Sequence, residues 1–127
     1  MGCIAFSPLA QGLLTDKYLK GVPADSRAGR GADSWQQGFL SDKNMACVKA
    51  LNEIAKKRGQ TLAQLAIAWV LCDPRMTSAL IGASHVGQIE DAVGALDRLA
   101  FTKAELDEID KLAEDAGVNI WRRSSTA

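Results

Sequence analysis

The stretch Leu62 to Cys72, L-A-Q-L-A-I-A-W-V-L-C, carries a single polar side chain, Gln64. Thr61 stands at its start as a helix cap. Asp73-Pro74 ends it, because the residue before a proline is pushed out of helical geometry. A helix that is apolar on nearly every side must be buried on most of them. Its cover has to come from the segments on either side, and those alternate in type. Cys3 to Phe6 reads as a short buried strand, stopped by Ser7-Pro8. Thr77 to Ile81, T-S-A-L-I, reads as a second strand, followed by a turn at Gly82-Ala83-Ser84 and a helix from about Val86 to Leu96. Strands alternating with helices predict an α/β protein with a parallel sheet.

The remaining helices carry their own start and stop signals. Ser41 to Arg58 has an N-cap serine, Asp42 at the positive end of the dipole, and Val48, Leu51, Ile54 and Ala55 at helical spacing. Lys56, Lys57 and Arg58 fall in its last turn, where cations complement the dipole, and Gly59 supplies the stop. Thr102 with Glu105 forms a capping box that opens a helix with the stripe Leu106, Ile109, Leu112 and Ala113. Gly117 closes it. Trp69 reads as core. Cys3, Cys47 and Cys72 sit in apolar contexts and read as small buried residues, which favours a reducing, cytoplasmic location. With one histidine and no C-x-x-C, no zinc site is expected.

Fifteen basic and fifteen acidic side chains balance, so no basic field exists for nucleic acid. No apolar run reaches membrane-spanning length. The candidate chemistry lies in two loops. After the first strand come two hydroxyls (Ser7, Thr15), an amide (Gln11), a flexible Gly12 and a cation (Lys17). Such a loop can cradle an anion with backbone N–H groups and an ammonium, or can be an ordinary strand exit. The polar segment from Lys20 to Gly38 follows, with Arg27 and Arg30 as candidate phosphate forks or solvated arginines, and Trp35 as a cover or an anchor. The second loop, Gly82 to Ser84, opens onto a helix N-terminus, where unpaired N–H groups favour an anion.

F-S-P-L-A-Q-G-L-L-T-D-K-Y, from Phe6 to Tyr18, resembles the loop after the seventh strand of aldo-keto reductases. I-G-A-S-x-x-x-Q-I-x-D, from Ile81 to Asp91, resembles that family's second cofactor segment. Similarity runs from about Gly2 to Trp121 and is greatest to the branch of potassium-channel β subunits and bacterial L-glyceraldehyde-3-phosphate reductases. The resemblance implies NADP(H) as cofactor. Ser7, Pro8, Leu9, Gln11, Gly12, Lys17, Ser26 and Arg27 would lie on its pyrophosphate side. Gly82, Ser84, Gln88 and Asp91 would lie on the adenosine side. Four positions depart from the family pattern: Asp16 replaces a glycine, His85 an arginine, and Asp91-Ala92 a Glu-Asn pair.

The implied fold is the C-terminal portion of a (β/α)8 barrel, with two strands, their helices and an extra helix. Residues 1–127 would form one incomplete domain, since a whole barrel needs about 250 residues. The family's catalytic tyrosine, lysine, aspartate and histidine match nothing here, so no catalytic residue is assigned and the chain alone is expected to be inactive. The complete enzyme would reduce a small aldehyde such as glyceraldehyde 3-phosphate or methylglyoxal. Alternatives are a non-catalytic assembly module or one half of a split barrel; the partner expected is a further copy of the chain in a homo-oligomer or the missing part of the barrel. Missing neighbours are expected to expose Leu65, Ile67, Trp69 and Leu80.

Overall fold

A computed structural model describes residues 1–26, 28–30 and 40–113. Arg27, Trp35 and everything after Ala113, Gly117 and Trp121 included, lie outside these. The described elements run β1 (Cys3–Phe6), α1 (Asp42–Lys57), α2 (Leu62–Leu71), β2 (Met76–Leu80), α3 (Val86–Gly94) and α4 (Lys103–Leu112). Single 3-10 turns occur at Ala10–Gly12, Asp16–Tyr18 and Ala95–Arg98.

The helix boundaries follow the local chemistry. Ser41 Oγ accepts from Asn44 N at the start of α1. Thr61 with Gln64, and Thr102 with Glu105, each form a reciprocal capping box. Gly59 takes φ +69°, the left-handed geometry that a C-terminal glycine supplies without a Cβ clash.

β1 and β2 pair in parallel, with Phe6 opposite Leu80, Ala5 opposite Ala79 and Ile4 opposite Ser78. Thr77 is bulged out of that register, and its hydroxyl oxygen accepts from Cys3 N at 3.0 Å. Side chains alternate across a strand, so Ile4, Phe6 and Leu80 share one face and the two alanines the other. The alanine face is half-buried, and α2 packs on β2. The face with the large side chains is open: Ile4, Phe6 and Leu80 are 64, 56 and 62% exposed. β1 is therefore not the buried strand its apolar run predicts. Helices cover one face of the two-stranded sheet, and on the other Ile4 and Leu80 stay exposed.

The core lies between the helices. Leu13, Val48, Ile54, Ala55, Leu62, Leu65 and Ile109 form one buried cluster. α2 is central, touching α1, α3, β2 and the Ala95–Arg98 turn. Leu65 and Ile67 are buried at 3% exposure, against the expectation that missing neighbours expose them, whereas Leu80 and Trp69 (43%) are exposed as that expectation has it. The exposure of Trp69 corrects its reading as core: it lies on the same side of α2 as Leu62 and Leu65, at the open rim of the cluster. The cysteines are corrected too. Cys3 and Cys72 are exposed and Cys47 half-buried. An apolar neighbourhood in sequence does not say which face of its element a side chain occupies. The Cys72 thiol lies 3.1 Å from Trp69 O, and desolvation, then Asp73, raises its pKa, so it is no activated nucleophile.

Arg58 departs furthest from its sequence reading. Beyond being a helix-end cation, it is a buried hub. Nε donates to Gln60 Oε1 (2.8 Å), Nη1 to Glu105 Oε2 (2.8 Å), and Nη2 to Arg98 O (3.0 Å) and Ala100 O (3.1 Å). The guanidinium stacks 3.8 Å over the Phe101 ring. Arg98 reciprocates by donating Nη1 to Arg58 O at 2.7 Å. These bonds tie the end of α1 to the start of α4.

Candidate functional site

Phe6 and Leu80 are register partners in parallel strands, so both candidate loops leave the same edge of the sheet, its C-terminal one. Ligand sites in parallel α/β folds form at that edge, because the connecting loops converge there.

The first loop is strained. The positive-φ non-glycine residues among those described are Ser7 (+53°), Ala10 (+46°) and Gln11 (+59°), and Gly12 follows at +96°. Left-handed backbone costs a non-glycine residue about 1–2 kcal/mol, and such strain clusters at ligand sites. Internal bonds hold the shape: Gly12 N and Leu14 N both donate to Leu9 O, at 2.9 and 3.1 Å, and Ala10 N donates to Ser7 O at 3.0 Å. Thr15 Oγ1 donates to Gly12 O at 2.7 Å and accepts from Lys17 N at 3.3 Å. Tyr18 is buried beneath Gly12 and closes the loop. Lys17 and Ser7 are exposed. Gln11 Oε1 is buried and has no hydrogen-bond partner among the described residues. A buried amide left unsatisfied is costly, and a ligand hydroxyl or amide would relieve it.

Ser26 is fully buried. Its Oγ donates to Pro23 O at 2.6 Å and accepts from Gly29 N at 3.0 Å, so it builds a turn. A Cβ on Gly29 would collide with the Pro23 carbonyl, which fixes glycine there. Arg27 lies outside the described residues; Arg30 is exposed.

In the second loop, Gly82 and Ser84 are exposed, and His85 is the N-cap of α3 without a side-chain capping bond. Gln88 reaches back: its Oε1 accepts from Ser84 N at 2.7 Å and from Ser84 Oγ at 3.2 Å. An anion at this helix start would take over those two donors. Asp91, one turn on, turns toward α2, where Thr61 Oγ1 lies 3.1 Å from each carboxylate oxygen. Neither Thr61 nor Gln64, which also holds Asp91, was legible as part of the site. The sign available was the capping box itself, whose hydroxyl has a proton to give after accepting from Gln64 N.

The donor set thus fits a phosphate-bearing ligand: hydroxyls, backbone N–H groups at a helix start and an exposed lysine on a common edge, with the Gln11 amide oxygen left to accept from a ligand hydroxyl. Elsewhere, an open apolar pocket of about 170 Å³ is lined by Pro8, Leu14, Leu65, Trp69, Val70 and Ala113 among others. Of the candidate residues only Pro8 reaches it, and its walls offer a phosphate nothing. Among the described residues no three His, Cys, Asp or Glu side chains are grouped to hold a metal, and no helix is long and apolar enough to cross a membrane.

The chain matches the model of the aldo/keto reductase family over residues 1–114. It is 48% identical to the L-glyceraldehyde 3-phosphate reductase of Escherichia coli K12, over 98% of this chain and 37% of that protein. It is also 40% identical to a probable voltage-gated potassium channel subunit beta of Oryza sativa, over 88% of this chain and 34% of that protein. An Arabidopsis thaliana protein of the same description is 38% identical over 90% of this chain and 36% of its own length. The chain therefore spans little more than a third of the relatives it matches.

Proposed function

The chain belongs to the aldo/keto reductase family, and on that premise we propose that it carries the NADP(H)-binding portion of a reductase acting on small aldehydes. The observation that carries this is the register of β1 and β2, with both cofactor-like loops on one sheet edge. Ser7, Leu9, Gln11, Gly12 and Lys17, with Arg27, would hold the pyrophosphate side. Gly82, Ser84 and Gln88 would hold the adenosine side. Ser26 would act through the turn it builds, and Pro8 by ending the strand. Bound NADPH supplies the hydride for an aldehyde carbonyl. The residues here bind and orient; none is assigned a proton-transfer role. Ile4, Phe6 and Leu80 would form part of the layered interior once six more strands close a barrel.

Titration with NADPH, followed by protein fluorescence on a sample whose fold is monitored by circular dichroism, tests the reading. Saturable quenching is expected. Lys17→Ala should weaken binding about ten-fold, the scale of one charge-assisted hydrogen bond. A folded chain that responds to neither NADPH nor NADH sinks the proposal. Turnover with methylglyoxal by this chain alone would sink the companion expectation that catalysis needs residues outside it.

A second reading, an assembly module, is favoured by the open apolar face of the sheet. Light scattering that reports a compact monomer at high concentration would argue against it.

A further inference from the structure

Resting on the cofactor reading above, we infer that Thr61 is a positioning residue for the adenosine side of the site, and that the Asp91 carboxylate through which it acts is a strut rather than a ligand. The argument starts from how weakly α3 is otherwise held. No residue of α3 is buried, and Val86, Ile89 and Val93 are 68, 49 and 58% exposed. Apolar packing therefore does little to fix the tilt of the helix that presents Ser84 and Gln88.

Polar bonds do that instead, between the first turn of α2 and the middle of α3. Thr61 Oγ1 has one proton. It accepts from Gln64 N at 3.1 Å, which leaves the proton for Asp91, whose two oxygens each lie 3.1 Å away. Gln64 uses both ends of its amide. Oε1 accepts from Thr61 N at 3.1 Å, and Nε2 donates to Asp91 O at 3.0 Å. Gly94 completes the fit, since a Cβ there would stand 2.5 Å from Gln64 Nε2. The Asp91 carboxylate is engaged by the Thr61 hydroxyl at the first turn of α2. Gln88 is one turn before Asp91 on the same helix, so loosening the clamp moves Gln88 and Ser84 relative to the end of β2.

Four variants of the full chain separate strut from ligand: Thr61→Ser, Thr61→Ala, Asp91→Ala and Gly94→Ala. Thr61→Ser keeps the hydroxyl and should bind NADPH like the parent. Thr61→Ala and Asp91→Ala should each raise Kd about five-fold, the worth of one net hydrogen bond. The double variant should be no worse than the poorer single, because both break the same contact. Gly94→Ala discriminates most sharply. It improves intrinsic helix propensity and keeps every candidate ligand, yet should also raise Kd by displacing Gln64. If Asp91→Ala weakens binding while Thr61→Ala and Gly94→Ala leave Kd unchanged, Asp91 is a direct ligand and the inference is wrong. If the parent binds neither NADPH nor NADH, the cofactor reading fails, and the strut is read from amide hydrogen exchange of the free chain. Thr61→Ala should then speed exchange in Val86 to Asp91 about five-fold, with α4 unaffected; unchanged protection in α3 overturns the inference.

Discussion

Replacing Arg58 with alanine should cost about 3–5 kcal/mol of stability, the range for removing one partner of a buried ion pair. The Arg58 side chain is 1% exposed, so its truncation leaves a buried gap, whereas Glu105, 21% exposed, keeps some contact with water, which places the expected cost toward the lower end of that range. Truncation removes four donated hydrogen bonds at once. Ala100 O loses the bond it accepts from Nη2, and Arg98 O is left with Gln60 Nε2 at 3.1 Å. The Phe101 ring loses its stacked cation as well. Urea denaturation followed by circular dichroism would read the effect as a fall in midpoint with little change in slope. Arg58→Lys should recover only a minor part, because a single ammonium cannot reach a carboxylate, an amide and two carbonyls from one fork-shaped site. A midpoint within experimental error of the parent for Arg58→Ala would show that the hub is not what joins α1 to α4.

Acid gives an independent reading of the same hub. The Thr102 N–H first, and after it the Arg58 guanidinium, hold the Glu105 carboxyl below its ordinary value of 4.5, against desolvation that pushes it up. A carboxylate with a depressed folded pKa adds stability that is fully present above the unfolded value and is lost as pH falls through the folded one. Stability should therefore decline from about pH 4.5 downward. Glu105→Gln should be less stable at neutral pH and show a shallower acid limb.

The elements were legible because their signals are local. Ser41, Thr61 and Thr102 cap helices by bonds that span three residues, and Gly59 stops one by its own φ. Arg58 was not legible because its partner Glu105 lies 47 residues away. A cation at a helix end already has a sufficient local explanation in the dipole. The strain at Ser7, Ala10 and Gln11 was hidden for a related reason: Gly12 advertises a left-handed turn, whereas the residues before it are types that avoid one. Ser26 shows the limit from the other side. The family resemblance marks its position, and only the fold shows its hydroxyl already committed to Pro23 and Gly29. Burial was the least legible property, since it depends on which neighbours are present. Hydrophobicity at Leu65 and at Leu80 looks alike in the sequence, yet one is 3% and the other 62% exposed.

That contrast makes the second large prediction. Ile54→Ala should destabilise by about 2–5 kcal/mol, while Leu96→Ala should stay within about 0.5 kcal/mol of the parent. Both positions lie on helical turns and both changes delete branched aliphatic atoms. Ile54 is 3% exposed in the cluster with Val48, Leu62, Leu65 and Ile109, where truncation leaves a cavity that close-packed neighbours fill only in part. Leu96 is 57% exposed, so the removed atoms were already largely in water. The pair separates a core built within these residues from apolar surface that awaits a partner. If Leu96→Ala costs as much as Ile54→Ala in a monomeric sample, the Ala95–Arg98 turn packs more tightly than its exposure indicates. If it costs that much only at high concentration, the lost stability belongs to association, and the exposed surface around Leu96 is an interface between copies of the chain.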